Sequence, residues 1–288
     1  MPGAEPSLTE HGDGITAIDT DLLRPQFDAC HLVTAGERAA FVDSGVNASV
    51  PLFLATLEQK GIDPAAVDYL FLTHVHLDHA GGAGLLMQSL PNAKAVLHPR
   101  GAPHMIDPDK LIRGAMAVYG EDAYRAMYGD ILAIPEDRVI VAEDRQAFTF
   151  GGRSFVSVFT EGHARHHHCF HDPDSASVFT GDSFGLSYRE LDTEQGEFIY
   201  PTTTPVHFDP PEAHRAIDTI LSFEPEQLFL THYSRVTDID RLAGDLHKRI
   251  DDFVGMAERH ARDEQRTAAI HESMYVYFER ELAAHGFT

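Results

Sequence analysis

Short apolar runs and amphipathic segments alternate along most of the chain, and this pattern predicts a protein built from both strands and helices. The apolar runs predict strands at residues 15–20, 31–34, 39–43, 67–72, 94–98, 177–180 and 227–230. A hairpin is predicted over 146–160, where Gly151 and Gly152 supply the turn. Helices are predicted at 47–60, at 80–90 and, less regularly, at 101–130. The irregular stretch is expected to form either one wall of a pocket or a surface helical pair.

The segment from about residue 237 onward differs, because it carries two amphipathic stripes and no apolar run typical of a strand. One stripe extends from Ile239 to Phe253 and the other from Ile270 to Leu282. We therefore expect a catalytic domain over residues 1–236 and a C-terminal helical extension over 237–288 that packs on it. The sequence contains no internal repeat and no low-complexity linker.

Composition indicates an acidic globular protein. The 288 residues are 43% hydrophobic and 23% charged, and no segment has the apolar length of a membrane span. The N-terminal residues lack the pattern of a secretory signal, and Cys30 and Cys169 do not indicate a disulfide framework, so a cytoplasmic location is expected. The net charge of −23 opposes binding to a phosphate backbone. A small-molecule substrate is expected rather than a nucleic acid or a membrane, and self-association is left open.

Residues 73–82, T-H-V-H-L-D-H-A-G-G, concentrate four side chains that can bind a metal ion. These are His74, His76, Asp78 and His79. Imidazole and carboxylate bind divalent transition metals, and no packing requirement explains four of them so close together. The chain has nineteen histidines, so a chance cluster is the alternative, but the H-x-H-x-D-H spacing followed by Gly-Gly favours a metal site. The alternation predicts that the first two residues face one ion and the last two a second.

Similar residues follow predicted strands elsewhere in the chain. His163, Asp182 and His232 each come after a strand or hairpin predicted above. Chance histidines would not select strand ends, so the repeated placement favours one common site. Asp43 also stands at a strand end, and it is expected either to support a ligand from behind or merely to begin a turn.

In their order along the chain, these motifs resemble the metallo-β-lactamase superfamily. The resemblance rests on the H-x-H-x-D-H motif, a glycine-led His163, the Gly181-Asp182 pair and the strand-terminal His232. It spans about Phe41 to His232, which is most of the chain. The resemblance implies an α+β fold, the αββα sandwich in which two β-sheets face each other between outer helices with the site at one edge.

The resemblance also implies two divalent metal ions, with zinc as the first expectation and manganese or iron(II) as alternatives. The implied ligands are His74, His76 and His163 for the first ion, Asp78, His79 and His232 for the second, and Asp182 as a bridge between them. His167 matches a family position four residues after a ligand, and it is expected to support the site rather than bind metal. The segment 200–205 looks like the pocket loop of a group of uncharacterised hydrolases near the lactonases and the glyoxalase II thioesterases.

Such a site implies a hydrolase in which a hydroxide that bridges two metal ions cleaves an ester, lactone or thioester bond of a small molecule. Asp78 would be both a ligand and a proton carrier, and Tyr233 would either donate to the developing oxyanion or simply be packed. Cys usually replaces the bridging Asp182 in true β-lactamases, so antibiotic hydrolysis is not expected. One alternative is an oxidoreductase like the persulfide dioxygenases, with a single iron held by His74, His163 and Asp182. Another is a metal-binding protein without turnover.

Overall fold

The computed structural model describes residues 5–204 and 206–287, and within these ranges two β-sheets face each other. The first sheet follows sequence order and contains β1 (Leu8–Glu10), β2 (Ile15–Asp19), β3 (Ala29–Ala35), β4 (Arg38–Val42), β5 (Val67–Phe71), β6 (Lys94–Leu97) and β7 (Val139–Val141). The second contains β8 (Ala147–Phe150), β9 (Arg153–Phe159), β10 (His168–Asp172), β11 (Ser177–Gly181), β12 (Gln227–Leu230) and β13 (Ser234–Val236). Its spatial order is β13-β12-β11-β10-β9-β8.

Helices cover the outer face of each sheet. The helices of the described residues are α1 (Val50–Gln59), α2 (Leu77–Ala80), α3 (Ala83–Ser89), α4 (Ala102–Ile106), α5 (Asp109–Tyr119), α6 (Glu121–Tyr128), α7 (Pro210–Leu221), α8 (Ile239–Arg259) and α9 (Arg266–Ala284). The apolar faces of α1, α3 and α4 pack on the first sheet. Those of α7 and α8 pack on the second sheet. The layers therefore form the predicted αββα sandwich, and the fold prediction is confirmed.

Aromatic side chains fill the space between the two sheets. Alternation along the strands turns one set of residues inward, as in β8, where Phe148 and Phe150 are buried and their neighbours are exposed. Phe71 of the first sheet and Phe170 of the second meet with their ring centroids 4.8 Å apart. Burial of one such side chain contributes roughly 1.5–3 kcal/mol, so this layer fixes how the two sheets align.

Parallel strand pairs bring the functional segments to one edge of the sandwich. In the first sheet β4 runs parallel to β5, and in the second β11 runs parallel to β12. The carboxyl ends of parallel neighbours lie at the same edge of a sheet. Asp43 follows β4, His74 follows β5, Asp182 follows β11 and His232 follows β12. The strand ends that the sequence singles out thus share one neighbourhood.

Two parts of the prediction need correction. The metal motif follows the strand predicted at 67–72 and precedes the helix predicted at 80–90, so a loop is expected between them, but Asp78 and His79 belong to the one-turn helix α2. The apolar runs listed above also do not predict β1, β7, β10, β13 or α7. The buried face of α7 carries Ala213, Ala216, Ile217 and Ile220 at helical spacing, and this spacing is a signal that could have found the helix. His168 begins β10.

The C-terminal helices differ in how they pack. The apolar stripe of α8 is buried against the second sheet, whereas α9 buries only Tyr277, whose hydroxyl donates to Asp252 at 2.8 Å. Both helices fall where the sequence places them, and the domain boundary at residue 236 stays a prediction. Among the described residues, no helix is long and apolar enough to cross a membrane.

Candidate metal centre

The structure brings all seven predicted ligands together. Their nitrogen and oxygen atoms form three groups, and within each group all the atoms lie within 4.8 Å of one another. The groups are His74 with His76 and His163, His74 with His79 and Asp182, and Asp78 with His79 and His232. Shared members join the three groups into one continuous cluster at the edge of the sandwich.

Three imidazoles converge on one side of this cluster. The Nδ1 atom of His76 lies 2.8 Å from Nε2 of His74 and 3.0 Å from Nε2 of His163. An oxygen of Asp182 lies 3.4 Å from the same His163 nitrogen. These atoms form the set that the resemblance assigns to a first ion.

The other side of the cluster pairs two imidazoles with two carboxylates. Nε2 of His232 lies 3.4 Å from Asp78 Oδ2 and 3.7 Å from Asp182 Oδ1. Nε2 of His79 lies 3.3 Å from Asp182 Oδ1 and 3.7 Å from Asp78 Oδ2. One oxygen of Asp182 therefore lies near this side of the cluster and its other oxygen near His163, so this carboxylate would contribute to both halves.

Hydrogen bonds orient three of the histidines with their Nε2 atoms inward. The Nδ1 atom of His79 donates to Asp43 Oδ2 (2.9 Å), that of His163 to the Thr202 carbonyl (3.4 Å) and that of His232 to the Phe27 carbonyl (2.9 Å). Carboxylate and carbonyl oxygens only accept, so each Nδ1 carries a proton. In the neutral imidazole the lone pair is then on Nε2, and this arrangement is typical of metal-binding histidines.

Asp43 is a buried anchor behind the cluster. It is 1% exposed and accepts hydrogen bonds from the Thr73 amide (2.8 Å), the Thr73 hydroxyl (2.9 Å) and the Thr231 hydroxyl (3.0 Å) as well as from His79. The carboxylate thus joins the ends of strands from both sheets. Sequence reasoning did not single out the two threonines, although each directly precedes a predicted ligand histidine, and this repeated Thr-His pair is a signal that could have found them.

His167 supports the cluster without belonging to a ligand group. Its Nε2 atom accepts the backbone N–H of Asp182 at 3.1 Å, and its Nδ1 atom lies 2.9 Å from the Ser183 hydroxyl. Gly181 makes this approach possible, because it has φ +50° and a Cβ there would lie 2.7 Å from His167 Nε2. The imidazole therefore positions the Asp182 backbone, from which the carboxylate reaches the cluster.

Burial and neighbouring charges divide the histidines into two kinds. Burial together with His163 lowers the pKa of His76 to about 3, and burial also lowers the pKa of His74 and His163. Burial opposes the charge of His232 as well, but the Asp182 and Asp78 carboxylates outweigh it and raise the pKa of His232 to about 9. A cation bound beside the two carboxylates would replace that proton.

Two atoms of the cluster test whether a cation fits. Nε2 of His79 and Oδ1 of Asp182 are buried and have no hydrogen-bond partner among the described residues, although they lie 3.3 Å apart. Buried polar atoms without a partner are rare in folded proteins, and a bound ion is one of the standard explanations. Imidazole nitrogens and carboxylate oxygens together suit zinc and similar divalent metals. The residues therefore fit divalent metal binding.

A cavity of about 650 Å³ opens over the cluster. The cluster residues that line it are His76, Asp78, His163, Asp182 and His232. Helix α5 lines it as well, so the irregular helical stretch does form a wall of the pocket. Thr202, Thr203 and Thr204 of the predicted pocket loop also line it, and Pro205 lies outside the described residues.

The structure does not bring Tyr233 to this cavity. Its side chain is 5% exposed, packs with Ala29 and Tyr188, and is not among the lining residues. Tyr188 and Tyr128 line the cavity instead. Neither is marked by a motif or by periodicity in the sequence, because folding alone brings their segments over the cluster.

Comparison with known proteins supports the same assignment. Residues 23–232 match the family model described as the Metallo-beta-lactamase superfamily. The metallo-beta-lactamase fold-containing protein ST1585 of Sulfurisphaera tokodaii is 30% identical over 186 residues, which is 63% of this chain and 64% of that protein. The match therefore spans just under two thirds of that relative. The solved structure of ST1585 from Sulfolobus tokodaii has a TM-score of 0.68 at 24% identity, covering 85% of this chain and 87% of that one.

Two shorter matches involve proteins with named activities. An atrochrysone carboxyl ACP thioesterase of Aspergillus fumigatus is 31% identical over 117 residues, which is 41% of this chain and 27% of that protein. The N-acyl homoserine lactonase AttM of Azorhizobium caulinodans is 28% identical over 117 residues, which is 41% of this chain and 40% of that protein. Because the family match contains every residue of the cluster and the fold agrees with it, this chain belongs to the metallo-β-lactamase superfamily.

Proposed function

We propose that this protein is a dinuclear metal-dependent hydrolase that cleaves an ester, lactone or thioester bond of a small molecule. The observation that carries the proposal is the position of Asp182, whose two oxygens face the two halves of the ligand cluster beside an open cavity. The relatives named as a thioesterase and a lactonase support this class of reaction.

The cluster would hold one cation on each side of Asp182. The proposed ligands are His74, His76 and His163 on one side and Asp78, His79 and His232 on the other, and zinc is the metal that this donor set suits first. When bound, the two cations would supply a Lewis acid and a water of lowered pKa.

Asp78 would carry a proton to the leaving group. Its side chain is 27% exposed, whereas those of Asp182, His79 and His232 are 5% exposed or less. It lines the cavity, so a bound substrate can reach its carboxylate. General acid–base groups must lie within hydrogen-bond reach of the atom they serve, and among the carboxylates of the cluster Asp78 meets this condition best.

Tyr188 is the phenol that we propose as a hydrogen-bond donor to the substrate, in place of Tyr233. It lines the cavity, and its ring centroid lies 6.3 Å from that of His232. Burial raises the pKa of Tyr188 above its ordinary value, so the hydroxyl keeps its proton at neutral pH. A neutral phenol can donate to a developing oxyanion.

The same geometry supports two ions rather than the single iron of a persulfide dioxygenase-like enzyme. A site with one iron would use His74, His163 and Asp182, yet Asp78, His79 and His232 form a complete second group. We therefore propose an oxidoreductase function only if the hydrolase test finds no hydrolysis.

The test is a panel of simple esters, lactones and thioesters assayed with zinc-loaded protein and its variants. His76→Ala and Asp182→Ala should each lower kcat/KM at least about 100-fold while circular dichroism stays unchanged. His104→Ala is the matched control, because His104 lines the same cavity but belongs to no ligand group. Unchanged turnover in either ligand variant would overturn the site, and oxygen uptake with glutathione persulfide in place of hydrolysis would overturn the reaction.

A further inference from the structure

Helix α5 is amphipathic, and none of its residues is buried. Its sequence is D-K-L-I-R-G-A-M-A-V-Y, and Val118 and Tyr119 near its end are 57% and 52% exposed. Leu111, Ala115 and neighbouring residues contact the small cluster around Tyr128 only in part. Large apolar side chains that stay open to solvent on one helix often mark a binding surface.

The open side of α5 faces the cavity above the ligand cluster. Leu111, Ala115, Val118 and Tyr119 line the same cavity as His76 and Asp78, and Lys110 is the one charged residue that α5 contributes to the lining. Phe27, Tyr128 and Tyr188 add aromatic surface. The cavity thus combines a polar reaction site with a mostly apolar wall, in which Lys110 and the tyrosine hydroxyls are the polar groups.

Gly114 leaves space along this wall. It lies in the middle of α5, lines the cavity, and a Cβ built there would meet no atom within 4 Å. Glycine is unfavourable in a helix interior relative to alanine, so packing or helix propensity does not explain its presence. An absent side chain at this point widens the cavity next to Leu111 and Ala115.

We propose that the apolar side of α5 binds an extended hydrocarbon tail, so that the substrate is an ester, lactone or thioester of a medium-length or longer acyl chain. The inference rests on the proposed hydrolase function, which it deepens by naming the substrate class. A volume of about 650 Å³ lies within the range of pockets that enclose drug-sized molecules. Such a volume exceeds what an acetyl group would fill, and an apolar wall gains affinity with each methylene that it removes from water.

The experiment compares p-nitrophenyl acetate, butyrate, octanoate and decanoate on zinc-loaded protein. In the wild type kcat/KM should rise with acyl length, by up to about fourfold for each methylene that is buried. Gly114→Leu should reduce kcat/KM for decanoate at least about tenfold and change that for acetate less than about twofold. Gly244→Leu is the matched control, because Gly244 is exposed on α8, a Cβ there also meets no atom within 4 Å, and it does not line the cavity.

Direct binding separates failure of this inference from failure of the proposed function. Titration calorimetry with decanoate and acetate needs no turnover, and the wild type should bind decanoate more tightly than Gly114→Leu does. Hydrolysis that does not depend on acyl length would overturn the tail site and leave the hydrolase intact. If the panel of esters, lactones and thioesters shows no hydrolysis, the tail site is judged from decanoate binding only. Weaker binding of decanoate to Gly114→Leu than to the wild type supports the tail site, and absence of binding to the wild type overturns it.

Discussion

Replacing Asp43 by Asn should weaken metal binding although Asp43 belongs to none of the ligand groups. The Asp43 carboxylate accepts the Nδ1 proton of His79 at 2.9 Å and thereby keeps a lone pair on Nε2. An Asn amide nitrogen at that position cannot accept this proton. With its amide nitrogen on the His79 side, the variant favours the other tautomer of His79, in which Nε2 is protonated and cannot bind a cation. With the nitrogen on the opposite side, the Thr73 amide loses its acceptor.

The size of the effect follows from the contacts of Asp43. One oxygen accepts the Thr73 amide, and the other accepts His79 and Thr231, so an amide in either orientation leaves at least one buried donor without an acceptor. Each such group costs about 1–3 kcal/mol. Loss of a partner that orients a ligand typically weakens metal affinity about 10–100-fold. We expect both effects in Asp43→Asn.

Asp172→Asn provides the matched control. Asp172 is also fully buried, and it accepts Arg153 Nε at 3.0 Å in the second sheet, where it contacts no residue of the ligand cluster. Urea denaturation of metal-free protein should show that both variants lose stability. Zinc affinity, measured by competition with a chromophoric chelator, should fall only in Asp43→Asn. Equal affinity in Asp43→Asn and the wild type, or an equal loss in both variants, would refute the reasoning.

Two further predictions concern the metal-free protein and the bridge. The pKa of His232 is raised to about 9 from its ordinary 6.5, so its protonation stabilises the metal-free fold by at most about 3 kcal/mol. This contribution is complete below pH 6.5 and is lost as the pH rises through 9. Urea denaturation at pH 7.5 and pH 10, above the range in which the histidines of lowered pKa titrate on unfolding, should show this loss in EDTA and not with saturating zinc, and equal losses in both would contradict it. Gly181→Ala should destabilise the fold by about 1–3 kcal/mol, because its Cβ would lie 2.7 Å from both His167 Nε2 and the Thr73 hydroxyl. Gly152→Ala is the control, since φ is also positive there and no atom lies within 4 Å; equal melting temperatures of the two variants would oppose the steric argument.

The ligand residues are predictable because their chemistry is local. His74, His76, Asp78 and His79 lie within six positions, and the remaining ligands each follow a strand that its apolar run already marks. Parallel pairing then places those strand ends at one edge without further information. The layered fold is predictable for a related reason, since alternation and helical spacing mark most of its strands and helices.

The cavity wall is not predictable in the same way. Phe27 and Tyr188 come from irregular segments whose course depends on tertiary packing, and no spacing rule connects them to the metal motif. Tyr233 illustrates the opposite error, because adjacency to His232 in sequence does not turn its side chain toward the cavity. Helix α7, by contrast, was predictable, because its buried Ala213, Ala216, Ile217 and Ile220 recur at helical spacing.

The measurement that tests the central claim most directly is the metal content of the protein after dialysis against zinc, determined by elemental analysis. We expect about two zinc ions per chain in the wild type and in His104→Ala, and a loss of bound zinc in Asp182→Ala, whose side chain faces both halves of the cluster. A wild-type chain that retains no metal, or an Asp182→Ala variant that still binds two ions, would contradict the dinuclear site. About one iron per chain in protein purified without added metal would instead favour the dioxygenase-like alternative.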